Sequence, residues 1–131
     1  MLECMILGDS IAYGVSNIRK ECVAYAKSGI NSHNWVSANI NKDLSAKTVI
    51  ISLGSNDLKN VDTREEIVQV RNKIKAGRVY WIVPAIKPNV QAIVREVAKE
   101  YGDTVLPIAQ LSPDGVHPTY NGYKQLAEQT R

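Results

Sequence analysis

The sequence predicts an α/β fold: a five-stranded parallel sheet in the flavodoxin-like order 2-1-3-4-5, with helices on both faces. Three observations carry this. Apolar runs of strand length alternate with segments of helical period, the signature of parallel strands joined by crossover helices. The third and fourth runs are continuous in Val, Ile and Leu, as central strands buried on both faces should be. Pro107 falls in the fifth run, and a residue without an N–H suits an edge strand, where the 2-1-3-4-5 order puts the fifth.

The strands are read in order as "CMILG" (4–8), "CVAYA" (22–26), "TVIISLG" (48–54), "VYWIVPAI" (79–86) and "TVLPIA" (104–109). A short helical pattern covers about 32–41, with Trp35 facing the core and His33 a polar residue at its start; the alternative is that the two contact a substrate ring. Thr63 and Glu66 read as a capping box, Ile67, Val70 and Ile74 as the apolar face behind it, and Gly77 as the stop. Asn89 can cap the next helix, whose stripe is Val90, Ile93, Val94, Val97 and Tyr101, closed by Gly102. A last helical pattern covers about 119–130. No linker, repeat or low-complexity segment interrupts the 131 residues, so one domain over 1–131 is expected.

Composition narrows the function classes. The chain is 44% hydrophobic and 22% charged, ordinary for a globular protein, and its net charge of +3 is scattered rather than gathered into a basic face. That pattern gives no nucleic-acid surface. No run reaches the length of a membrane span and "MLECMILGDS" lacks a basic leader, so a cytoplasmic protein, or one released without a signal peptide, is expected. Cys4 and Cys22 sit in short apolar runs and read as two small buried thiols, with a disulfide left open. Neither has ligand spacing to His33 or His117 and no H-E-x-x-H occurs, so no metal is expected. No phosphate-binding glycine loop follows the first strand, which disfavours a nucleotide cofactor; no cofactor of any kind is expected. The oligomeric state leaves no mark.

Polar residues cluster after the strands: "GDS" (8–10), "SGI" (28–30), "GSND" (54–57) and "PDGVH" (113–117). In a parallel sheet all four loops meet at one edge. Their residue types are those that acyl transfer needs: a serine nucleophile, a histidine base, an aspartate to orient the imidazole, and donors for an oxyanion. Ser10 is the candidate nucleophile, with its own amide as one oxyanion donor. Gly29 lets its N–H approach a substrate closely, and Asn56 offers a side-chain NH2. Asp114 and His117, three apart, fall on one side of a helical turn, so the carboxylate can hold Nδ1 and leave Nε2 for Ser10. Each residue also has an ordinary reading: Ser10 as a helix cap, Gly29 as a turn, Asn56 with Asp57 as an Asx-turn, Asp114 as a turn residue, His117 as a surface histidine. Agreement among five of them at four strand ends favours chemistry.

"GDSI", the glycine of "SGI", "GSND" and "DGVHPT" together resemble the four sequence blocks of the SGNH hydrolase superfamily, the GDSL-type esterases and lipases. The resemblance implies a three-layer α/β/α sandwich. It also implies a catalytic triad of Ser10, Asp114 and His117, and an oxyanion hole of the Ser10 amide, Gly29 and Asn56. Asp9 and Asp57 match positions that orient the loops. Ile11 replaces the leucine of the family name, an apolar exchange.

The chain is short for that family, has no insertion that could serve as a lid, and contains no Phe. These features point to an open site with a shallow acyl pocket bounded by Val116, Ala85 and Ile86. Short acyl esters, acetyl above all, are the expected substrates, on a small molecule or a carbohydrate. The alternatives are a thioesterase or lysophospholipase of the same superfamily, or a glycan-binding module that keeps the fold without the activity.

Overall fold

Alternation along each strand divides the interior into two layers, because successive side chains point to opposite faces of a sheet. In the computed structural model, which describes residues 1–131, five strands carry this pattern: β1 (Leu2–Gly8), β2 (Val23–Ala26), β3 (Ser45–Ser52), β4 (Lys75–Ile82) and β5 (Thr104–Leu106). They form one parallel sheet in the order β2-β1-β3-β4-β5. The order is the expected one, and β5 stands at an edge and ends just before Pro107.

Five helices cover the sheet: α1 (Ser10–Ile18), α2 (Ser32–Asn39), α3 (Thr63–Lys73), α4 (Pro88–Tyr101) and α5 (Tyr120–Gln129). On one face Met5, Leu7, Val49, Ile51 and Trp81 meet Trp35 of α2, Ile67 and Val70 of α3, and Val90, Val94 and Val97 of α4. On the other, Cys4, Ile6, Ile50 and Ile82 meet Ile11 and Val15 of α1 and Leu126 of α5. The architecture is the three-layer α/β/α sandwich. Trp35 is fully buried, and its indole N–H donates to the Tyr25 carbonyl.

Several boundaries differ from the sequence reading, each for a local reason. Helix α1 has a weak signature in the sequence, since Gly14 and its Ser and Asn lower helix propensity, although Ile11, Val15 and Ile18 follow the helical period. Asp62, not Thr63, caps α3, accepting the Glu65 N–H at 3.1 Å. Thr63 turns its hydroxyl to Asp57 instead (2.7 Å), and Glu66 lies 3.3 Å from His33. Gly77 is no helix stop: it lies inside β4, between the paired residues Ala76 and Arg78. Asn89 is not the cap of α4, which starts at Pro88 after Lys87, while Gly102 does close it with φ of 72°.

Cys4 and Cys22 are joined in a disulfide, not free thiols. The sheet register explains it: Met5 pairs with Val23, so the residues preceding them stand side by side on adjacent strands. No helix is long and apolar enough to cross a membrane.

Candidate active site

The carboxyl edge of the sheet is built from its centre outward. After Gly8, the Asp9 amide donates to the Ser52 carbonyl at 3.0 Å and ties the end of β1 to the end of β3. Asp9 caps α1: its Oδ1 accepts from the Ile11 N–H and from the Ser52 hydroxyl, each at 3.0 Å. The cap role therefore belongs to Asp9, and Ser10 becomes the first helical residue with its hydroxyl free for another partner. As a first helical residue it also has an amide with no acceptor inside the helix. Burial pushes the Asp9 carboxyl up to about 6, against the opposing pull of the Ser52 and Ile11 hydrogen bonds.

The partner of Ser10 is His117. Ser10 Oγ lies 2.8 Å from His117 Nε2, and His117 Nδ1 lies 2.7 Å from Asp114 Oδ2. With Nδ1–H donated to the carboxylate, Nε2 presents a lone pair and accepts the Ser10 O–H. The 113–117 segment is a turn rather than the expected helical turn. Asp114 organises it: Oδ1 accepts from the backbone N–H of Val116 at 2.8 Å and of His117 at 2.9 Å, and the Ser112 hydroxyl lies 2.8 Å away. The Ser112 amide donates to the His117 carbonyl, closing the turn at its base. These bonds, led by the His117 N–H and then that of Val116, hold the Asp114 carboxyl far below the usual carboxylate range. The imidazole is open to solvent, with 41% of its side chain exposed.

Gly29 has φ of +81°, a conformation that side-chain-bearing residues rarely adopt, and a Cβ there would meet nothing within 4 Å. Its N–H makes no hydrogen bond within the protein. Asn56 donates one hydrogen of its amide to the Ile30 carbonyl at 3.0 Å, which ties the loop after β3 to the loop after β2 and leaves the second hydrogen free. Asp57 is buried beneath. It accepts from the Ser32 N–H and hydroxyl and from the Thr63 hydroxyl at 2.6–2.8 Å, joining the starts of α2 and α3.

Val116, Ala85 and Ile86 are half-buried, and they line none of the molecule's main cavities. One of about 510 Å³ is bounded by Leu58, Val61, Lys87 and Ile93, and one of about 660 Å³ by Gly14, Asn17, Lys20, Tyr120 and Tyr123. His33 is exposed beside Glu66. Cys4, Glu21 and Cys22 converge, but sulfurs joined in a disulfide offer no thiolate to a metal. The sequence carries no signal for Ser112, whose hydroxyl meets Asp114 Oδ1 and the His117 carbonyl, because its place follows from the folding of the turn.

The fold is that of the SGNH hydrolases. The chain is similar to the crystal structure of a "putative acylhydrolase" from Bacteroides fragilis, with a TM-score of 0.67 at 20% identity over 97% of this chain and 83% of that one. It is also similar to the catalytic domain of peptidoglycan O-acetyltransferase A from Streptococcus pneumoniae, with a TM-score of 0.60 at 17% identity over 98% of this chain and 96% of that one. No protein-family model and no curated protein sequence matches it.

Proposed function

We propose that this protein is a serine esterase that releases short acyl groups, acetyl above all, by way of an acyl-enzyme on Ser10. The observation that carries the reading is the continuous hydrogen-bonded line from Ser10 Oγ through the His117 ring to Asp114. The acylhydrolase and acetyltransferase descriptions of the two structural neighbours support acyl chemistry in the broad sense.

His117 Nε2 takes the Ser10 proton as Oγ attacks the ester carbonyl. The oxyanion forms against the amides of Ser10 and Gly29 and the free Asn56 N–H, donors fixed before the reaction begins. The imidazolium then protonates the departing alcohol as the C–O bond breaks. Water repeats the sequence on the acyl-enzyme, releasing the acid and restoring Ser10. Asp114, fixed by backbone amides, holds the ring in its productive tautomer.

The alcohol half of the substrate fits a sugar. Tyr13 stands three residues past Ser10 and Tyr120 three past His117, with 50% and 72% exposure. Tyr120 borders the 660 Å³ cavity with Asn17 and Lys20, so aromatic faces lie beside amide and ammonium donors. The disulfide supports a site of action in an oxidising compartment rather than the cytoplasm.

The test is hydrolysis of a p-nitrophenyl ester series by the pure protein and by Ser10→Ala. Activity greatest for acetyl and abolished in the variant is expected. Hydrolysis unchanged by the substitution sinks the serine mechanism, and rates climbing toward octanoyl sink the short-acyl assignment. On an O-acetylated oligosaccharide, Tyr120→Ala should raise KM without a matching change on p-nitrophenyl acetate.

A further inference from the structure

Lys87 is the one residue other than glycine with positive φ, at φ 63° and ψ 82°. The conformation is disfavoured twice, since a side-chain-bearing residue avoids the left-handed region and a residue before proline is driven to extended angles. Such a backbone persists only where its surroundings hold it. It gives α4 no side-chain cap in return. What it does is aim the Lys87 ammonium away from its own helix, at the loop after β3. There Nζ donates to the Ser55 carbonyl at 2.8 Å and to the Asp57 carbonyl at 2.6 Å.

Those two carbonyls belong to the residues on either side of Asn56. One cation thus grips the 55–56 peptide and the 57–58 peptide, which bracket the residue whose side-chain amide is offered to the oxyanion. The grip complements the Asn56–Ile30 bond, which fixes the amide itself, and the Asp57 contacts, which anchor the loop from below. Charge-assisted bonds to two carbonyls are stronger than neutral ones and fix direction as well as distance. An oxyanion donor is effective only while it is held in place beforehand, so a few tenths of an ångström of loop freedom costs rate.

We propose that Lys87 is a positioning residue for the Asn56 donor, acting through the Ser55 and Asp57 carbonyls. The catalytic side of this rests on the serine-esterase reading above; the clamp itself does not.

Two measurements test it. The first is amide hydrogen exchange on wild type, Lys87→Met and Lys87→Arg. Met retains the length and loses the cation, so exchange at the Asp57 N–H, which donates to the Gly54 carbonyl, should quicken at least tenfold while the β1–β3 ladder is unchanged. Arg should restore part of the protection. Unaltered exchange across 54–57 in Lys87→Met overturns the clamp whether or not the protein hydrolyses esters. The second is a kinetic cycle with Asn56→Ala, which should lower kcat by about 10²–10³-fold. Lys87→Met should lower kcat about tenfold with KM nearly unchanged, and add nothing in the Asn56→Ala background. A full tenfold loss persisting in that background overturns positioning through Asn56. Activity indifferent to Ser10→Ala would instead count against the esterase reading and leave the exchange result to decide the clamp.

Discussion

Ser10 Oγ and His117 Nε2 meet at 2.8 Å although 107 residues separate them along the chain. Ser10 leaves the end of β1, while the chain reaches His117 from β5, three strands away at the sheet edge. Neighbouring strands are about 4.8 Å apart, so the segment after β5 must travel roughly 14 Å back across the carboxyl edge. It is held at its far end by α5, which packs beside α1. The meeting of the two side chains therefore depends on how closely those helices approach.

Gly14 sets that approach. A Cβ at this position would run into the ring of Tyr123 on α5. Ala is the better helix former by about 1 kcal/mol, so propensity alone predicts that Gly14→Ala stabilises the protein. Overpacking predicts the reverse, with a cost of about 1–3 kcal/mol. We expect the second to win, with a lower urea midpoint and a lower kcat, because α5 moves and carries the His117 loop with it. Combining Gly14→Ala with Tyr123→Leu should recover part of the kcat. A single variant as active and stable as wild type would show that the ring gives way freely.

The acid limb of the rate profile should report one proton. Asp114 is held far below the usual carboxylate range, chiefly by the His117 and Val116 amides, so it stays ionised through the mildly acidic range in the folded protein. The rate should therefore fall on acidification with unit slope, with no second proton contributed by Asp114. Asp9→Asn should leave this limb in place, since Asp9 makes its hydrogen bonds to Ile11 and Ser52 and not to the reacting atoms. A limb of slope two, or one that vanishes in Asp9→Asn, contradicts this assignment. Asp114→Asn should lower kcat by up to about 10⁴-fold through loss of the tautomer that Asp114 enforces.

The Cys4–Cys22 bridge should contribute to stability and not to chemistry. It closes a loop of 18 residues' separation between two adjacent strands, for which chain-entropy arguments give roughly 3 kcal/mol. Replacing both cysteines with alanine should lower Tm by about 10 °C. Ester hydrolysis at 25 °C should be retained, because no hydrogen bond of Ser10, His117 or Asp114 involves either cysteine. Loss of activity in a variant that is still folded at 25 °C would mean that the bridge shapes the site as well.

What the sequence disclosed follows from what each signal encodes. Continuous apolar runs announce parallel strands, and Pro107 announces an edge, because burial and a missing N–H act locally. The four polar loops were legible because particular polar residue types recur where each strand ends, and strand ends can be read locally. Thr63 misled because its hydroxyl serves Asp57 rather than its own helix, a choice made by tertiary packing. The disulfide was undecided because the register that sets Cys4 beside Cys22 exists only once β1 and β2 pair. Lys87 was silent because its contacts are to main-chain carbonyls, which have no residue signature.

Asp9 predicts an unusual pH dependence of folding. Its carboxyl is fully buried, with Oδ2 left without a hydrogen-bond partner, and burial raises it from 3.8 to about 6 in the folded chain. The folded protein thus binds this proton more tightly than the unfolded chain does. The associated stability is full below about 3.8 and is lost as the pH rises through about 6. A shift of this size corresponds to roughly 3 kcal/mol. In Asp9→Asn the titrating group is gone, while Oδ1 remains as acceptor for Ile11 and Ser52. Unfolding free energies measured in urea at pH 4 and pH 7 should therefore move apart: relative to the variant, wild type should lose about 2 kcal/mol between the two. Parallel stability curves would mean that Asp9 ionises as an ordinary carboxylate and that water reaches Oδ2.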